Sequence, residues 1–400
     1  MPLYVRTLPD LEQGNADANA AAPYSDDDLR DLLFGLGMGA SGGGGGYLIG
    51  QALVDAIIRE VPPFKRVLLP ISQALPSDFA VMAGGIGAPS AITPVTITKF
   101  ADYAWAAIQA YGQSQKVTVN ALLPVEAGPV NALLAMYLGW TRGLKVFDCD
   151  GAGRAVPSLT NLVFGYNDYP IAPVFLAGEK GGQPVVGQVL PPPADAEAAE
   201  AAIRDNLPTY GNAAGLVCWG QTGSQLRAST YVIAGQFEVL RVFGGKLRAA
   251  SGNLRYMALV LNSETELVDS WFWTQLSQIK TDPRPGYDDG TLIFGAGAGP
   301  EATLQIAYEN ENMIARYGDG RIFTAPSGIS MMFQLNGNLV PLNNGDNLPQ
   351  AVPLGSTTFV VILKERCVLY QNPVVASFQK VLAGDPFDYT GPIQPIGCIP

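Results

Sequence analysis

Glu126, Asp148, Asp150 and Arg154 are the residues whose types and spacing are best suited to chemistry. Residues 117–123 read as a strand that runs into Pro124-Val125-Glu126-Ala127-Gly128. Residues 144–147 read as a second, running into Asp148-Cys149-Asp150-Gly151-Ala152-Gly153-Arg154. Ligands of open parallel sheets bind at the carboxyl ends of strands, so both loops fall on the edge where a site forms. The three carboxylates can act as general bases or offer hard oxygen ligands to a divalent cation. Arg154 can pair with a carboxylate or stabilise a developing anion. Structural roles stay open beside these. Asp148 and Asp150 can cap a turn and a helix, and Glu126 can be the ion-pair partner of Arg154.

Further candidates surround these. Gly87 belongs to a Gly-Ala-Pro loop, 83–89, that follows a strand read over 79–82. Asn131 can both donate and accept a hydrogen bond. Gly43 and Gly44 lie in the run 42–46 before a helix, where free amides and the helix dipole would favour an anion. A flexible linker is the other reading of that run. No Gly-Lys-Ser/Thr follows it, so it is not a Walker loop. Cys149, between two aspartates, should have its thiol pKa raised, which disfavours a nucleophile and favours buried filler. Glu311 follows a strand read over 302–308 and reads either as a turn former or as a carboxylate facing a cleft.

The chain of 400 residues has no histidine. That removes Ser-His-Asp and Cys-His catalysis, histidine-ligated zinc, and any imidazole acid or base. Net charge is -11, which argues against a nucleic-acid partner and against an anionic membrane surface. No signal-peptide h-region is visible in 1–10, and Gly, Pro, Asn and Ser break the long uncharged stretches, so no membrane span is expected. The four cysteines are scattered without a C-x-x-C pair, which points to a reduced, cytoplasmic setting. Charged residues are only 15%, which suggests surface covered by loops or by a second subunit, and hence a homo-oligomer. No cofactor is required by the sequence. An oxygen-liganded divalent metal, on Asp148 and Asp150, is the one metal it allows.

The elements that must hold these residues read as two regions. In 1–175, a polar leader with a strand at 3–8 precedes a helix capped by Ser25 and ending at Gly35. Helices then alternate with strands: helix 47–60, strand 66–71, strand 79–82, helix 101–111, strand 117–123, helix 129–140, strand 144–147. This predicts an N-terminal α/β domain with a largely parallel sheet. In 176–400 the texture changes. A short helix at 194–206 and a long one at 228–247 precede many short strands, including 257–261, 267–273, 291–294, 302–308, 322–324 and 358–363. They predict a C-terminal, mainly β domain.

The order of these segments resembles the S-methyl-thiohydantoin desulfurase-like family. The glycine loop 36–46, the loop 82–89, Glu126–Asn131, Asp148–Pro157 and Asn310-Glu311-Asn312 with 313–316 carry the resemblance. It departs from the family pattern at Ala325-Pro326-Ser327, where an aspartate would follow the proline. The resemblance implies an N-terminal α/β and a C-terminal β-rich domain. It also implies removal of a methylthio group from a thiohydantoin ring by water, a small-molecule substrate, and a partner of hydantoinase/oxoprolinase type. On that reading Glu126 or Asp148 is the base, and Arg154 and glycine-loop amides stabilise negative charge. The alternative is a non-catalytic subunit or sensor that binds a small molecule for such a partner.

Overall fold

A computed structural model describes residues 21–88, 92–94, 96–282, 287–295, 304–393 and 396–399. The strand expected at 3–8, and Pro89 of the Gly-Ala-Pro loop, lie outside the described residues.

Helix α1 (Asp26–Gly39) starts where the sequence places it. Ser25 Oγ accepts from the Asp28 amide, and the Asp28 carboxylate accepts from the Ser25 amide. It continues past Gly35, contrary to expectation, because the glycines there serve a crossing and not a stop. A Cβ on Gly35 would overlap the Leu240 carbonyl of a later helix, and one on Gly244 of that helix would overlap the Asp31 carbonyl. Helix α2 (Tyr47–Glu60) follows the glycine run; of the face that helical spacing sets together, Ile49, Leu53, Ala56 and Ile57 are buried, while Leu48 is exposed and Val54 is buried in its place.

The first sheet has six strands in the order β3-β2-β1-β7-β5-β6. Strands β1 (Phe79–Gly87), β2 (Ala121–Pro124) and β3 (Lys145–Val146) are parallel, with helices α3 (Ile97–Gln115) and α4 (Pro129–Arg142) as the crossovers. Pro129 opens α4 and Gly143, left-handed at φ 71°, closes it. The residues expected as a strand over 66–71 contribute only a bridge from Leu69 to Phe147. Beyond a short strand β4 (Cys149–Asp150), the sheet is completed by antiparallel strands β5 (Phe175–Lys180), β6 (Gln183–Gln188) and β7 (Ala213–Thr222). Residue 175 is therefore the first residue of a strand in this sheet. The change of texture there marks the switch from parallel to antiparallel pairing. Helix α5 (Ala196–Asn206) lies between β6 and β7, capped by Asp195.

Strand β8 (Ile233–Ala234) pairs with β4, and Gly235 then turns the chain into α6 (Gln236–Ala250). The helix expected over 228–247 thus begins eight residues later. The strand expected over 257–261 is instead part of helix α7 (Leu254–Ser263). Asn253 Oδ1 caps it by accepting from the Arg255 and Tyr256 amides, and Met257, Val260 and Leu261 are buried at helical spacing.

The second sheet is antiparallel throughout, in the order β13-β12-β11-β10-β9-β16-β14-β15. Its strands are β9 (Val268–Thr281), β10 (Asp289–Gly295), β11 (Leu304–Glu309), β12 (Glu311–Tyr317), β13 (Ile322–Thr324), β14 (Gly328–Leu335), β15 (Asn338–Val340) and β16 (Thr357–Leu363). Strand β17 (Glu365–Arg366), helix α8 (Asn372–Leu382) and strand β18 (Cys398–Ile399) end the fold. The α/β and β-rich layers are thus as the sequence predicts. Cys367 and Cys398 form a disulfide, while Cys149 and Cys218 are free and buried. That pairing removes the support that the scattered cysteines gave to a reduced setting. Among the described residues, no helix is long and apolar enough to cross a membrane.

Gly35→Ala and Gly244→Ala are each expected to lower the unfolding free energy by about 1–3 kcal/mol, because neither helix backbone can yield to a methyl group. Urea denaturation measures this. Parent-like stability in both variants would contradict so close a crossing.

Candidate functional site

The end of β1, the loop after β2, the glycine run, and the turn from β11 to β12 line a cavity of about 80 Å³. Gly44, Gly87, Glu126, Asn131 and Glu311, all expected from the sequence, line it.

Glu126 is 5% exposed. Its Oε1 accepts from Asn131 Nδ2 at 2.6 Å and its Oε2 from the Val156 amide at 2.8 Å. Asn131 Oδ1 accepts from the Gly85 amide at 2.7 Å, so one amide side chain ties the end of β1 to the carboxylate after β2. Glu311 is 3% exposed. Its Oε1 accepts from the Gly44 amide at 3.2 Å, across 267 residues of sequence, and its Oε2 is buried without a hydrogen-bond partner. Asn310, the single residue between β11 and β12, takes a left-handed conformation at φ 55° and so turns Glu311 inward.

Burial dominates the charge state of this pair. It pushes the Glu126 carboxyl up to about 7, against the Asn131 and Val156 hydrogen bonds and the more distant Arg154. Burial, followed by repulsion from Glu126, pushes Glu311 well above the usual carboxylate range. With one oxygen lacking any donor, Glu311 has little to hold a negative charge and is the neutral member.

The other candidates lie outside the cavity wall. Gly43 backs the wall, because a Cβ there would overlap the Glu311 carboxyl. The run is no free anion site. Gly44 gives its amide to Glu311, and the first amides of α2, Tyr47 and Leu48, are capped by Asp346 at 2.8 Å each. Asp150 Oδ1 accepts from the Ala152 and Gly153 amides, and burial raises its carboxyl to about 7. Asp148 Oδ1 accepts from the Phe237 amide at the start of α6, and burial raises it to about 6. These are the turn and helix caps that the sequence left open. Cys149 between them is fully buried, its thiol pushed up by burial and by both aspartates, as expected.

Arg154 is fully buried but makes no ion pair with Glu126 among the described contacts. It donates to four backbone carbonyls: Ala155, Pro326, Ser327 and Asn312, at 2.8–3.1 Å. It joins the loop after β4 to the second sheet and acts on the cavity only through its charge. Among the described residues, no group of three or more Cys, Asp or Glu is arranged to hold a metal ion.

Glu200 and Arg204, which the sequence reading passed over, also line the cavity, as does Asn310, named there only as part of the segment that carries the resemblance. Arg204 Nε donates to Glu200 Oε1 at 2.6 Å, Glu200 Oε2 accepts from the Leu159 amide, and the guanidinium stacks 4.0 Å from the Tyr287 ring centre. The available signal was a Glu–Arg pair four residues apart in an otherwise alanine-rich helix. Such a pair reads as a solvated helix face, yet these side chains are only 12% and 16% exposed.

Residues 27–188 match the family model described as S-Me-THD-like, N-terminal domain, in agreement with the resemblance read from the sequence. No curated protein matches the chain. Among solved structures, a protein from Chromobacterium violaceum is similar in fold, with a TM-score of 0.74 at 26% identity. The likeness covers 94% of this chain and 100% of that one.

The two glutamates should respond differently to neutralisation. Glu311→Gln replaces a neutral acid by a neutral amide and keeps an acceptor for Gly44, so stability at pH 8 should stay within about 1 kcal/mol of the parent. Glu126→Gln sets an NH2 against one of two N–H donors and should cost about 1–3 kcal/mol. Equal effects in urea denaturation would contradict the assignment.

Proposed function

We propose, from the premise that residues 27–188 form an S-Me-THD-like N-terminal domain, that the cavity is the active site of a hydrolase-type enzyme. Its reaction is the removal of a methylthio group from a thiohydantoin-like ring. The observation that carries this reading is the buried pair Glu126 and Glu311 on one small cavity, one carboxyl hydrogen-bonded by two N–H donors and the other left with a bare oxygen. Two carboxyls whose environments separate their protonation are what a base and an acid require in a protein without histidine.

Water attacks the ring carbon that bears the methylthio group, and Glu126 takes one of its protons. The carbon–nitrogen double-bond pair moves onto the ring nitrogen, which takes the proton of Glu311. In the second step the remaining hydroxyl proton passes to Glu311 and the carbon–oxygen double bond forms. The carbon–sulfur bond breaks, and the sulfur takes the proton held by Glu126 and leaves as methanethiol. Both side chains end as they began. Asn131 holds the Glu126 carboxylate in place, and Arg204, paired with Glu200 on the same wall, takes the anion-facing part that the sequence gave to Arg154.

Incubation with an S-methyl-thiohydantoin should release thiol, and Glu126→Gln and Glu311→Gln should each lower kcat by about 10²–10⁴. Thermal stabilisation by the ring compound without thiol release would favour the binding-subunit reading. Turnover unchanged in both variants would remove the carboxyl pair from the mechanism.

A further inference from the structure

Asn310 lines the cavity beside Glu311 and is 6% exposed. Three of its four polar groups are committed to the turn. Its backbone amide donates to the Asp288 carbonyl at 2.8 Å, and its own carbonyl accepts from Asn344 Nδ2 at 2.8 Å. Its side-chain Oδ1 accepts from the Asp288 amide at 2.8 Å. Asp288 contributes only backbone groups to these bonds. A backbone N–H can only donate, so the last bond fixes which end of the Asn310 side chain is oxygen. Nδ2 is the group left for the cavity, with both hydrogens lacking an acceptor among the described residues. A donor so largely buried favours a ligand that brings it an oxygen.

Glu311 supplies the other half of this edge. In the reaction proposed above it is the neutral acid that gives its proton to a ring nitrogen. Consecutive residues of one turn then offer donors side by side, an O–H and an N–H pair. The complementary ligand carries two adjoining acceptors, a ring nitrogen and the oxygen of a carbonyl on the next ring carbon. One nitrogen of a thiohydantoin ring lies between the carbon that bears sulfur and a carbonyl carbon, so the ring presents such an edge.

We propose that Asn310 is a substrate-binding residue whose Nδ2 donates to that ring carbonyl and so selects carbonyl-bearing rings, a role that rests on reading the cavity as the site of the reaction above. Hydantoin and imidazolidin-2-one share a neutral five-membered ring, and hydantoin alone has the second carbonyl. In isothermal calorimetry the parent protein should bind hydantoin at least about tenfold more tightly. Asn310→Gly keeps the left-handed turn at φ 55° and removes the donors, and should bring the two ligands within about threefold of each other. A purely structural role would weaken both ligands alike and keep their ratio. In the parent protein, hydantoin should also shift the Asn310 side-chain amide signal in nitrogen-15 NMR, and imidazolidin-2-one should not. No saturable hydantoin binding, a preference kept in Asn310→Gly, or an unmoved amide signal would overturn the proposal. Thiol release from S-methyl-thiohydantoin by the parent separates the two claims. Release with the preference kept in the variant leaves the hydrolase reading standing and removes Asn310 from it. The expected preference and its loss, without any release, keep Asn310 as the carbonyl donor of a binding site and sink the hydrolase reading.

Discussion

Glu311 is buried, with one oxygen on the Gly44 amide and the other without a partner. A carboxylate so placed cannot keep its charge cheaply, and much of the surrounding structure follows from fitting it there. The glycine run is part of that fit. A side chain at Gly43 would overlap the Glu311 carboxyl, and one at Gly44 would overlap Gly128, the residue just before α4. The loop that looked like a flexible linker or an open anion cradle is a buried seat for a carboxyl from the second sheet. The same constraint couples Glu126 to Glu311, since two buried acids on one cavity resist carrying two charges.

The seat holds only if the two sheets keep their positions, and Arg154 supplies the strut. Its guanidinium spends four hydrogen bonds on backbone carbonyls, three of them in the second sheet or the turn leading to it. Glu365, Glu311 and Glu126 all sit within its field, so one buried cation tempers several buried acids without touching the cavity. Asp148 and Asp150 anchor the start of α6 and the turn before Arg154. The loop that seemed richest in catalytic groups is thus the support, and the cavity carboxyls Glu126 and Glu311 lie on the segments beside it.

The sequence was most legible where local chemistry decides. The Ser25 cap, Pro129 at the start of α4 and the strand at 322–324 all appear where spacing places them. Glu126 and Glu311 could be picked out because they follow strands and can exchange protons, and Asn131 because its amide can both donate and accept a hydrogen bond. What failed depended on long-range contacts. Gly35 reads as a helix stop until α6 is known to cross it. The run at 257–261 is apolar enough for a strand, and only the Asn253 cap and the burial of one face make it a helix. Arg154 looks like an anion stabiliser until its carbonyl partners, up to 173 residues away, are seen. Glu200 and Arg204 look solvated until Tyr287 and the loop at 157–159 cover them.

Carbon-13 NMR of labelled glutamate side chains reads directly the charge shared by the carboxyl pair. The Glu126 carboxyl carbon should titrate near pH 7, as burial requires. The Glu311 carbon should keep the shift of a protonated acid through that range. If both carbons instead titrate together at about 4.3, the value of an exposed glutamate, the pair is solvated and ionised, and the acid–base assignment is wrong.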